Sequence, residues 1–253
     1  MTDTLLELKQ LSLRYGGVHA LEDISLRLPS GGITGLIGPN GAGKTSLFNV
    51  ITGFSRPSQG EVHYGGRRID GLPVPQIARY GIARTFQNLR VFPGMTVFDN
   101  VSIGALSQQR FGWRSLWGRR QQRAQAVSAA TWAALRRTGL DSLAFELAAN
   151  LSYGKRKYLE IARALALQPG LLILDEPAAG LNDSETAALA EFLRQLSQQG
   201  LSLLLVEHDL SLVKKICDRV LVLSSGRLLA EGSPEQVMRD PAVITSYLGS
   251  EEA

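Results

Sequence analysis

Apolar and polar residues alternate along two stretches near the amino terminus. Leu11 and Leu13 are separated by one polar residue, and Ile24, Leu26 and Leu28 repeat the same period of two. Because successive side chains of a strand point to opposite faces of a sheet, this period predicts strands with one buried face. The pattern is typical of half-buried antiparallel strands.

The next segment changes from the strand period to the helix period across a glycine-rich turn. A short apolar run at Ile33–Ile37 predicts a buried strand. Beyond the turn, apolar residues recur at the spacing of one helix face, at Leu47, Val50, Ile51 and Phe54. We therefore expect a strand, a loop and an amphipathic helix in that order.

Strand patterns disappear between residues 85 and 168, where we expect a mostly helical insertion that ends at Pro169. Strand and helix patterns alternate after it, which predicts βαβ units and a parallel sheet covered by helices. Asn182 and Glu185 have the spacing of a capping box at the start of the first such helix. The predicted strands are 171–174, 201–206 and 220–223, and the predicted helices are 184–199 and 210–216.

Length and composition favour one α/β domain with an insertion. The 253 residues are 44% hydrophobic and 20% charged, which suffices for a sizeable core and argues against a disordered chain. A net charge of +4 does not require nucleic acid as a partner.

The best apolar runs end at Asp175 and Glu207, short of the roughly 18 residues of a membrane span. With no secretion signal and Cys217 as the one cysteine, we expect the reducing cytoplasm.

Residues 38–45 fit the phosphate-binding pattern G-x-x-x-x-G-K-[ST] at every defined position. A loop without bulky side chains lets its N–H groups converge on phosphate oxygens, and the following helix directs its positive end at the same point. Lys44 supplies a cation for the β and γ phosphates, and Thr45 offers a hydroxyl to Mg²⁺. The candidate nucleotide-binding residues here are Gly38, Pro39, Asn40, Gly41, Ala42, Gly43, Lys44, Thr45 and Ser46.

The strand predicted at 171–174 runs directly into two carboxylates, Asp175 and Glu176. Nucleotides bind at the edge of a parallel sheet that its carboxyl ends form. Asp175 is suited to holding Mg²⁺ through its water shell, and Glu176 to orienting or deprotonating an attacking water. An Asp-Glu pair alone is not specific, but beside a phosphate loop it predicts nucleotide hydrolysis.

With these motifs in this order, the chain resembles the ATP-binding subunits of ABC transporters over almost its whole length. The letters LSYGK at 151–155 stand where the family signature, usually LSGGQ, is found, and AGLN at 179–182 stands where the D-loop is found. Tyr15 matches the aromatic residue that stacks on adenine. Gln87 matches the glutamine that contacts Mg²⁺ and the attacking water, and His208 matches the switch histidine at the γ-phosphate.

The resemblance implies a P-loop ATPase fold with a parallel-sheet core, an amino-terminal antiparallel β subdomain and a helical insertion, in one domain over residues 1–253. Residues 1–84 and 169–253 would form the core with the β subdomain. Residues 85–168 would form the helical subdomain that carries the signature. The implied catalytic residues are Glu176, His208 and Gln87, and the implied Mg²⁺ ligands are Thr45, Gln87 and Asp175.

The signature implies a second ATPase subunit, either identical or paralogous. In the family, the signature contacts ATP bound to the opposite subunit. The resemblance implies this role for Ser152 and Gly154. Tyr153 and Lys155 depart from the usual Gly and Gln. Ser152 at a helix amino terminus nevertheless provides the hydroxyl, the N–H groups and the helix dipole that bind an anion.

Several stretches are more specifically similar to the ATPases of branched-chain amino acid importers, among them ARTFQN at 83–88, DEPAAGLN at 175–182 and VEHD at 206–209. This implies a peripheral protein on the cytoplasmic face of the inner membrane. Its partners would be two transmembrane permease subunits and, indirectly, a periplasmic or extracellular solute-binding protein, with no nucleic acid expected. Importers of urea or other amides and a lipopolysaccharide-export ATPase have similar stretches, so these alternatives stay open. A non-transport ABC ATPase acting on nucleic acid is a further alternative, disfavoured by the single phosphate loop.

A basic segment between residues 110 and 123 interleaves arginines with aromatic residues. Three interpretations stay open: a solvated surface, a patch near anionic lipid or the membrane subunits, and a nucleic-acid contact. The arginines are Arg110, Arg114, Arg119, Arg120 and Arg123, and the aromatic residues are Phe111, Trp113 and Trp117.

Overall fold

The structure is a computed structural model that describes residues 4–87, 89–108 and 120–248. In chain order its strands are β1 (Thr4–Tyr15), β2 (Val18–Pro29), β3 (Ile33–Ile37), β4 (Gln59–Tyr64), β5 (Arg67–Arg68), β6 (Ile82–Arg84), β7 (Leu171–Asp175), β8 (Ser202–Val206), β9 (Arg219–Ser224) and β10 (Arg227–Gly232). Its α-helices are α1 (Lys44–Ile51), α2 (Val74–Tyr80), α3 (Val97–Ser107), α4 (Arg120–Arg137), α5 (Tyr153–Leu165), α6 (Asp183–Gln198), α7 (Leu210–Ile216), α8 (Pro234–Met238) and α9 (Pro241–Leu248).

The amino-terminal strands form an antiparallel sheet in the order β2-β1-β4-β5. The predicted alternation is confirmed, because Leu11 of β1 pairs with Ile24 of β2 and both side chains are buried, as are Leu13, Leu26 and Leu28. This sheet packs with α1 against one face of the larger sheet.

The larger sheet has six strands in the order β10-β9-β3-β8-β7-β6. Every pair in it is parallel except the hairpin of β9 and β10. Strands β3, β7 and β8 are buried at every position, as expected for a parallel sheet covered on both faces. Their carboxyl ends therefore meet at one edge of the sheet, directly before α1 and the residues around 176 and 207.

The residues between 85 and 168 contribute helices rather than named strands in their described part. Helices α3, α4 and α5 pack together, and an isolated bridge joins Thr96 to Leu147. One hydrophobic cluster joins these helices and α6 to the second face of the six-stranded sheet, with Val101, Leu135 and Leu159 among its members. The division into subdomains at residues 84 and 169 stays a prediction.

Some elements differ from the sequence-based expectation. Helix α1 ends at Ile51, and Phe54 lies outside it with 52% of its surface exposed. Strands β4, β5, β6 and β10 and helices α2, α8 and α9 were not predicted. Of these, β6 has three residues and β5 has two, too few for a period to show.

The basic segment falls mostly outside the described residues. Arg110, Phe111, Trp113, Arg114, Trp117 and Arg119 lie there, and the three interpretations of the segment stay open. Arg123 lies on α4 and is partly exposed. Within the described ranges, none of the helices has the length and apolarity needed to cross a bilayer.

Candidate nucleotide-binding site

A cavity of about 380 Å³ opens beside the amino terminus of α1. Its lining includes residues 40–46 of the loop and helix, the three candidate catalytic residues Gln87, Glu176 and His208, and Asp175. These groups are distant in the sequence, and the adjacent carboxyl ends of β3, β7 and β8 bring them together. The fold therefore places the predicted phosphate loop, metal ligands and hydrolytic residues around one space.

Two glycines of the loop occupy positions where a side chain would not fit. Gly38 has φ +150°, and a Cβ atom there would lie 2.1 Å from the carbonyl oxygen of Leu223. Gly43 has φ +101°, and its Cβ would lie 2.7 Å from the carbonyl oxygen of Ala20. Because Gly43 is the N-cap residue of α1 and has no side chain to cap it, the first amide groups of the helix are available to an anion.

Lys44 is the first residue of α1 and only 8% of it is exposed. Its Nζ donates hydrogen bonds to the carbonyl oxygens of Gly38 at 2.6 Å and Pro39 at 3.0 Å. Burial lowers the pKa of Lys44, while the carboxylates of Glu176 and Asp175 act in the opposite direction. The ammonium group can exchange these carbonyl oxygens for phosphate oxygens, since both are acceptors.

Glu176 is held at both carboxylate oxygens. Gln87 Nε2 donates to Oε2 at 3.0 Å, and His208 Nε2 lies 3.0 Å from Oε1. The Glu176 backbone has φ +48°, in the left-handed region that non-glycine residues adopt at a cost of about 1–3 kcal/mol. Such strain persists where the surroundings enforce it, and here it turns the carboxylate from the end of β7 toward the cavity that it lines.

Asp175, at the end of β7, makes a buried ion pair with Arg84 of β6. Arg84 Nη2 donates to Asp175 Oδ2 at 2.8 Å, and Arg84 Nη1 donates to Asn49 Oδ1 of α1 at 2.8 Å. The guanidinium carbon lies 5.3 Å and 5.2 Å from the ring centres of Phe48 and Phe86. Arg84 thus connects the phosphate-loop helix, the Asp175 strand and the segment that leads to Gln87.

Glu207 connects the end of β8 to the loop after Glu176. Its Oε1 accepts a hydrogen bond from the backbone N–H of Ala178 at 2.8 Å, and only 5% of the residue is exposed. Burial raises the pKa of Glu207, while the backbone N–H groups of Ala178 and His208 oppose this shift. The loop at 178–181 and the His208 segment are therefore joined through one buried carboxyl group.

Comparisons with known proteins agree with this geometry. A family model described as ABC transporter matches residues 21–179, more than half of the chain. The chain belongs to the ABC transporter family. A second family model, described as branched-chain amino acid ATP-binding cassette transporter, matches residues 227–253. The predicted family and the predicted ABC ATPase fold are both confirmed.

Relatives of the ABC family match the chain along nearly its whole length. The high-affinity branched-chain amino acid transport ATP-binding protein LivG of Salmonella typhimurium is 44% identical, over 98% of this chain and 99% of that protein. The corresponding protein BraF of Pseudomonas aeruginosa is 40% identical with the same coverage. Among solved structures, the ADP conformation of an ATP-binding cassette of an ABC transporter is 31% identical with a TM-score of 0.85, over 97% of this chain and 99% of that chain.

Five of the predicted site residues do not line the cavity: Gly38 and Pro39, at the start of the phosphate loop, and Tyr15, Ser152 and Gly154. Tyr15 lies at the end of β1, half exposed, with its hydroxyl 2.8 Å from that of Ser55. Ser152 is exposed as the N-cap of α5, where its Oγ accepts a hydrogen bond from the N–H of Lys155. Gly154 is buried, and a Cβ there would lie 2.7 Å from Oε1 of Glu185. That the signature serves a second subunit stays a prediction.

Sequence reasoning missed several side chains of the site. Val18, His19 and Ala20 of β2 line the cavity, and Arg84 and Lys157 contact the Asp175-Glu176 segment. The two cations have no local signal, since their partners lie 91 and 19 residues away in the sequence. Val18 is 67% exposed. Its position beside the phosphate loop depends on the folded sheet, so the sequence alone gives no sign that it lines the cavity.

Proposed function

We propose that the chain is the ATP-binding and ATP-hydrolysing subunit of an ABC importer for branched-chain or other hydrophobic amino acids. Full-length identity of 40–44% to proteins named for branched-chain amino acid transport supports the solute class. The match of residues 227–253 to the branched-chain family model supports it independently. The observation that carries the hydrolytic role is the carboxylate of Glu176, held by Gln87 and His208 beside the phosphate loop.

The described residues fit ATP with Mg²⁺. Residues 40–46 would hold the phosphates through backbone N–H groups and Lys44, and Tyr15 would stack on the base. Thr45, Gln87 and Asp175 all lie at the cavity and offer oxygen atoms, which Mg²⁺ prefers. Arg84 occupies Oδ2 of Asp175 and leaves Oδ1 as an acceptor for the water shell of a metal ion. When bound, the ion supplies positive charge against the phosphate oxygens.

Glu176 is the residue that acts on water in this proposal. Its carboxylate orients the attacking water and accepts its proton, because among the described residues it is the cavity carboxylate with no ion pair to an arginine. His208 and Gln87 first hold this carboxylate and then, as nucleotide enters, are free to contact the γ-phosphate and the water. In this proposal, nucleotide binding would open these two hydrogen bonds.

The start of α5, where Ser152 is exposed, would complete the site of a second ATPase subunit. Ser152 and Gly154 at the start of α5 would bind the γ-phosphate of ATP held by that subunit, which is either a second copy or a paralogue. Closure of the pair around two nucleotides would drive transport, and hydrolysis would reset it. Two transmembrane permease subunits and an external solute-binding protein complete the importer, with this chain on the cytoplasmic face of the inner membrane.

Substitution of Glu176 by Gln tests the hydrolytic role. The amide cannot accept the proton of water, so steady-state ATP turnover should fall by about a hundredfold or more. Binding of a fluorescent ATP analogue should persist, and size-exclusion chromatography with ATP should show an enriched dimer. Normal turnover in Glu176→Gln would overturn the assignment.

Lys44→Ala serves as the complementary variant, because it removes the phosphate cation and leaves Glu176 in place. Calorimetry should show a loss of nucleotide affinity in this variant, and unchanged binding would contradict the site.

The solute class is tested separately: deletion of the gene should abolish uptake of radiolabelled leucine at micromolar concentration. Uptake at the undeleted rate would contradict branched-chain amino acid import while leaving the ATPase assignment intact.

A further inference from the structure

Helix α5 begins beside the loop that follows Glu176 in the same chain. The hydroxyl of Tyr153, in the first turn of α5, donates to the carbonyl oxygen of Ala179 at 3.3 Å. The aromatic ring lies against Gly180, which has φ +80°, and a Cβ at residue 180 would approach the ring to 3.0 Å. Tyr153, a departure from the usual glycine of the signature, therefore packs on the D-loop of its own subunit.

One turn further along α5, Lys157 is buried with 4% of its surface exposed. Its Nζ donates to the backbone carbonyl oxygen of Glu176 at 3.3 Å and lies 5.7 Å from the centre of the Tyr153 ring. Within the described part of the chain, no carboxylate forms an ion pair with this ammonium at 4.0 Å or less. A buried charge needs polar partners, and here a peptide carbonyl and an aromatic face are those partners.

The Glu176 peptide is therefore fixed from two sides. Its N–H donates to the carbonyl oxygen of Val206 at 3.0 Å, and its carbonyl oxygen accepts from the N–H of Ala179 at 3.1 Å and from Lys157 at 3.3 Å. Between these hydrogen bonds the backbone adopts the left-handed conformation with φ +48°. Because this conformation is unfavourable for a glutamate, loss of the Lys157 hydrogen bond would leave the carbonyl oxygen with the Ala179 N–H alone and would let the carboxylate turn away from its working direction.

We propose that Tyr153 and Lys157 are positioning residues for ATP hydrolysis, which act through the backbone of Glu176 and the loop at 178–181. The inference rests on the proposed function, since the same first turn of α5 carries Ser152 and Gly154. The side chains of Lys157 and Tyr153 join the start of α5 to the Glu176 backbone and to the loop at 178–181.

Three variants of the full-length chain test the proposal. Lys157→Met keeps the apolar stem and removes the donor, Lys157→Arg restores a donor, and Tyr153→Phe removes only the hydroxyl. Lys214→Met is the matched control, because Lys214 is exposed on α7. Steady-state ATPase rates are measured against MgATP concentration, together with the affinity for a fluorescent ATP analogue and the melting temperature.

Lys157→Met should lower kcat by about tenfold while KM and nucleotide affinity stay within about twofold, because the phosphate loop is untouched. Lys157→Arg should recover much of kcat, Tyr153→Phe should lose about twofold to threefold, and Lys214→Met should match the wild type. A purely structural role would lower the melting temperature and nucleotide affinity together, without rescue by arginine. Should Lys157→Met fail to fold, Tyr153→Phe and Lys157→Arg decide the question.

The outcomes separate this inference from the proposed function. If the wild type turns over MgATP, Glu176→Gln does not, and kcat is unchanged in both Lys157→Met and Tyr153→Phe, only the positioning role is overturned. If the wild type shows no turnover, or Glu176→Gln turns over normally, the proposed function itself fails. A fall in kcat that accompanies an equal loss of nucleotide affinity also overturns the positioning role.

Discussion

Arg84 is a buried cation that pairs with Asp175 beside the cavity. Its guanidinium and Asp175 are both buried, with side-chain exposures of 5% and 9%. The Nε of Arg84 has no hydrogen-bond partner among the described residues, so the pair with Asp175 and the bond to Asn49 must compensate the buried charge. Removal of the arginine would leave the Asp175 carboxylate buried and unpaired, which is costly.

We predict that Arg84→Met lowers the free energy of unfolding by about 3 kcal/mol or more, since breaking one side of a buried ion pair typically costs that much. Urea denaturation in the absence of nucleotide measures the change. Arg68→Met is the control, because Arg68 pairs with the two carboxylates of Glu61 and Asp70 but lies exposed, and its substitution should change stability far less. Equal effects of the two substitutions would contradict the prediction.

Spacing and burial identify only the site residues whose role is encoded locally, whereas Gln87 and His208 were placed there by the family resemblance. Lys44 and Thr45 belong to a contiguous loop, and Glu176 follows a buried strand directly, so spacing and burial identify them. Arg84 and Lys157 act only through tertiary neighbours, and in isolation each is an ordinary cation in an amphipathic segment. No local period distinguishes such a buried cation from a solvated one.

At the scale of elements, residues close together in the sequence determine where α6 begins. Asn182 Oδ1 accepts from the N–H of Glu185 at 2.9 Å, and Glu185 Oε2 accepts from the N–H of Asn182 at 3.1 Å. The predicted capping box is therefore confirmed. It was predictable because both partners lie within four residues and their preference does not depend on the rest of the fold.

We predict that Asn182→Ala lowers the free energy of unfolding by about 1 kcal/mol, the usual effect of deleting an N-cap side chain. Asn182→Asp retains an acceptor oxygen and should be nearly neutral in the same urea titration. Full stability in the alanine variant would show that the cap contributes nothing to α6. Because Asn182 also ends the D-loop, ATPase rates are measured in parallel to separate a local effect on the loop from one on stability.

Elements whose existence depends on distant neighbours could not be predicted. Strand β6 has three residues, and pairs with β7 only because residues 82–84 reach the edge of the completed parallel sheet. Phe54 continues the helical spacing of α1, yet the helix ends at Ile51 and Gly53 follows with φ +80°. A glycine in that conformation ends a helix more strongly than one apolar residue extends it.

At the scale of the whole molecule, buried carboxyl groups make stability depend on pH. Burial raises the pKa values of Glu207 and Glu160 above their ordinary value. The folded state therefore retains protons that the unfolded state has lost, and stability falls as pH rises from the unfolded pKa through the folded pKa. This direction is opposite to that of a carboxylate stabilised by an ion pair.

Glu207→Gln should remove the contribution of Glu207 to this slope. The amide oxygen can still accept the hydrogen bond from Ala178, but it carries no charge to desolvate at high pH. We predict that the stability of Glu207→Gln relative to the wild type is greater at pH 8 than at pH 5, as measured by urea denaturation at both values. A relative stability that is greater at pH 5 would contradict the raised pKa.

The rate of Cys217 labelling by a thiol reagent measures how often the protein opens. Cys217 is the single cysteine of the chain and is buried against β3. Burial raises the pKa of its thiol to about 12, so the native protein presents almost no reactive thiolate at pH 8. Labelling by a thiol reagent then requires the protein to open. A ligand that binds only the folded state reduces the open population by mass action.

We predict that ADP at about 100 times its dissociation constant slows Cys217 labelling by about a hundredfold, equivalent to about 2.7 kcal/mol of added stability. Lys44→Ala should show no such protection, because its phosphate loop no longer holds the nucleotide. Slowing of only a few fold in the wild type would indicate that α7 opens locally, without disruption of the site. Labelling at the rate of a free thiol without ADP would contradict the burial of Cys217 itself.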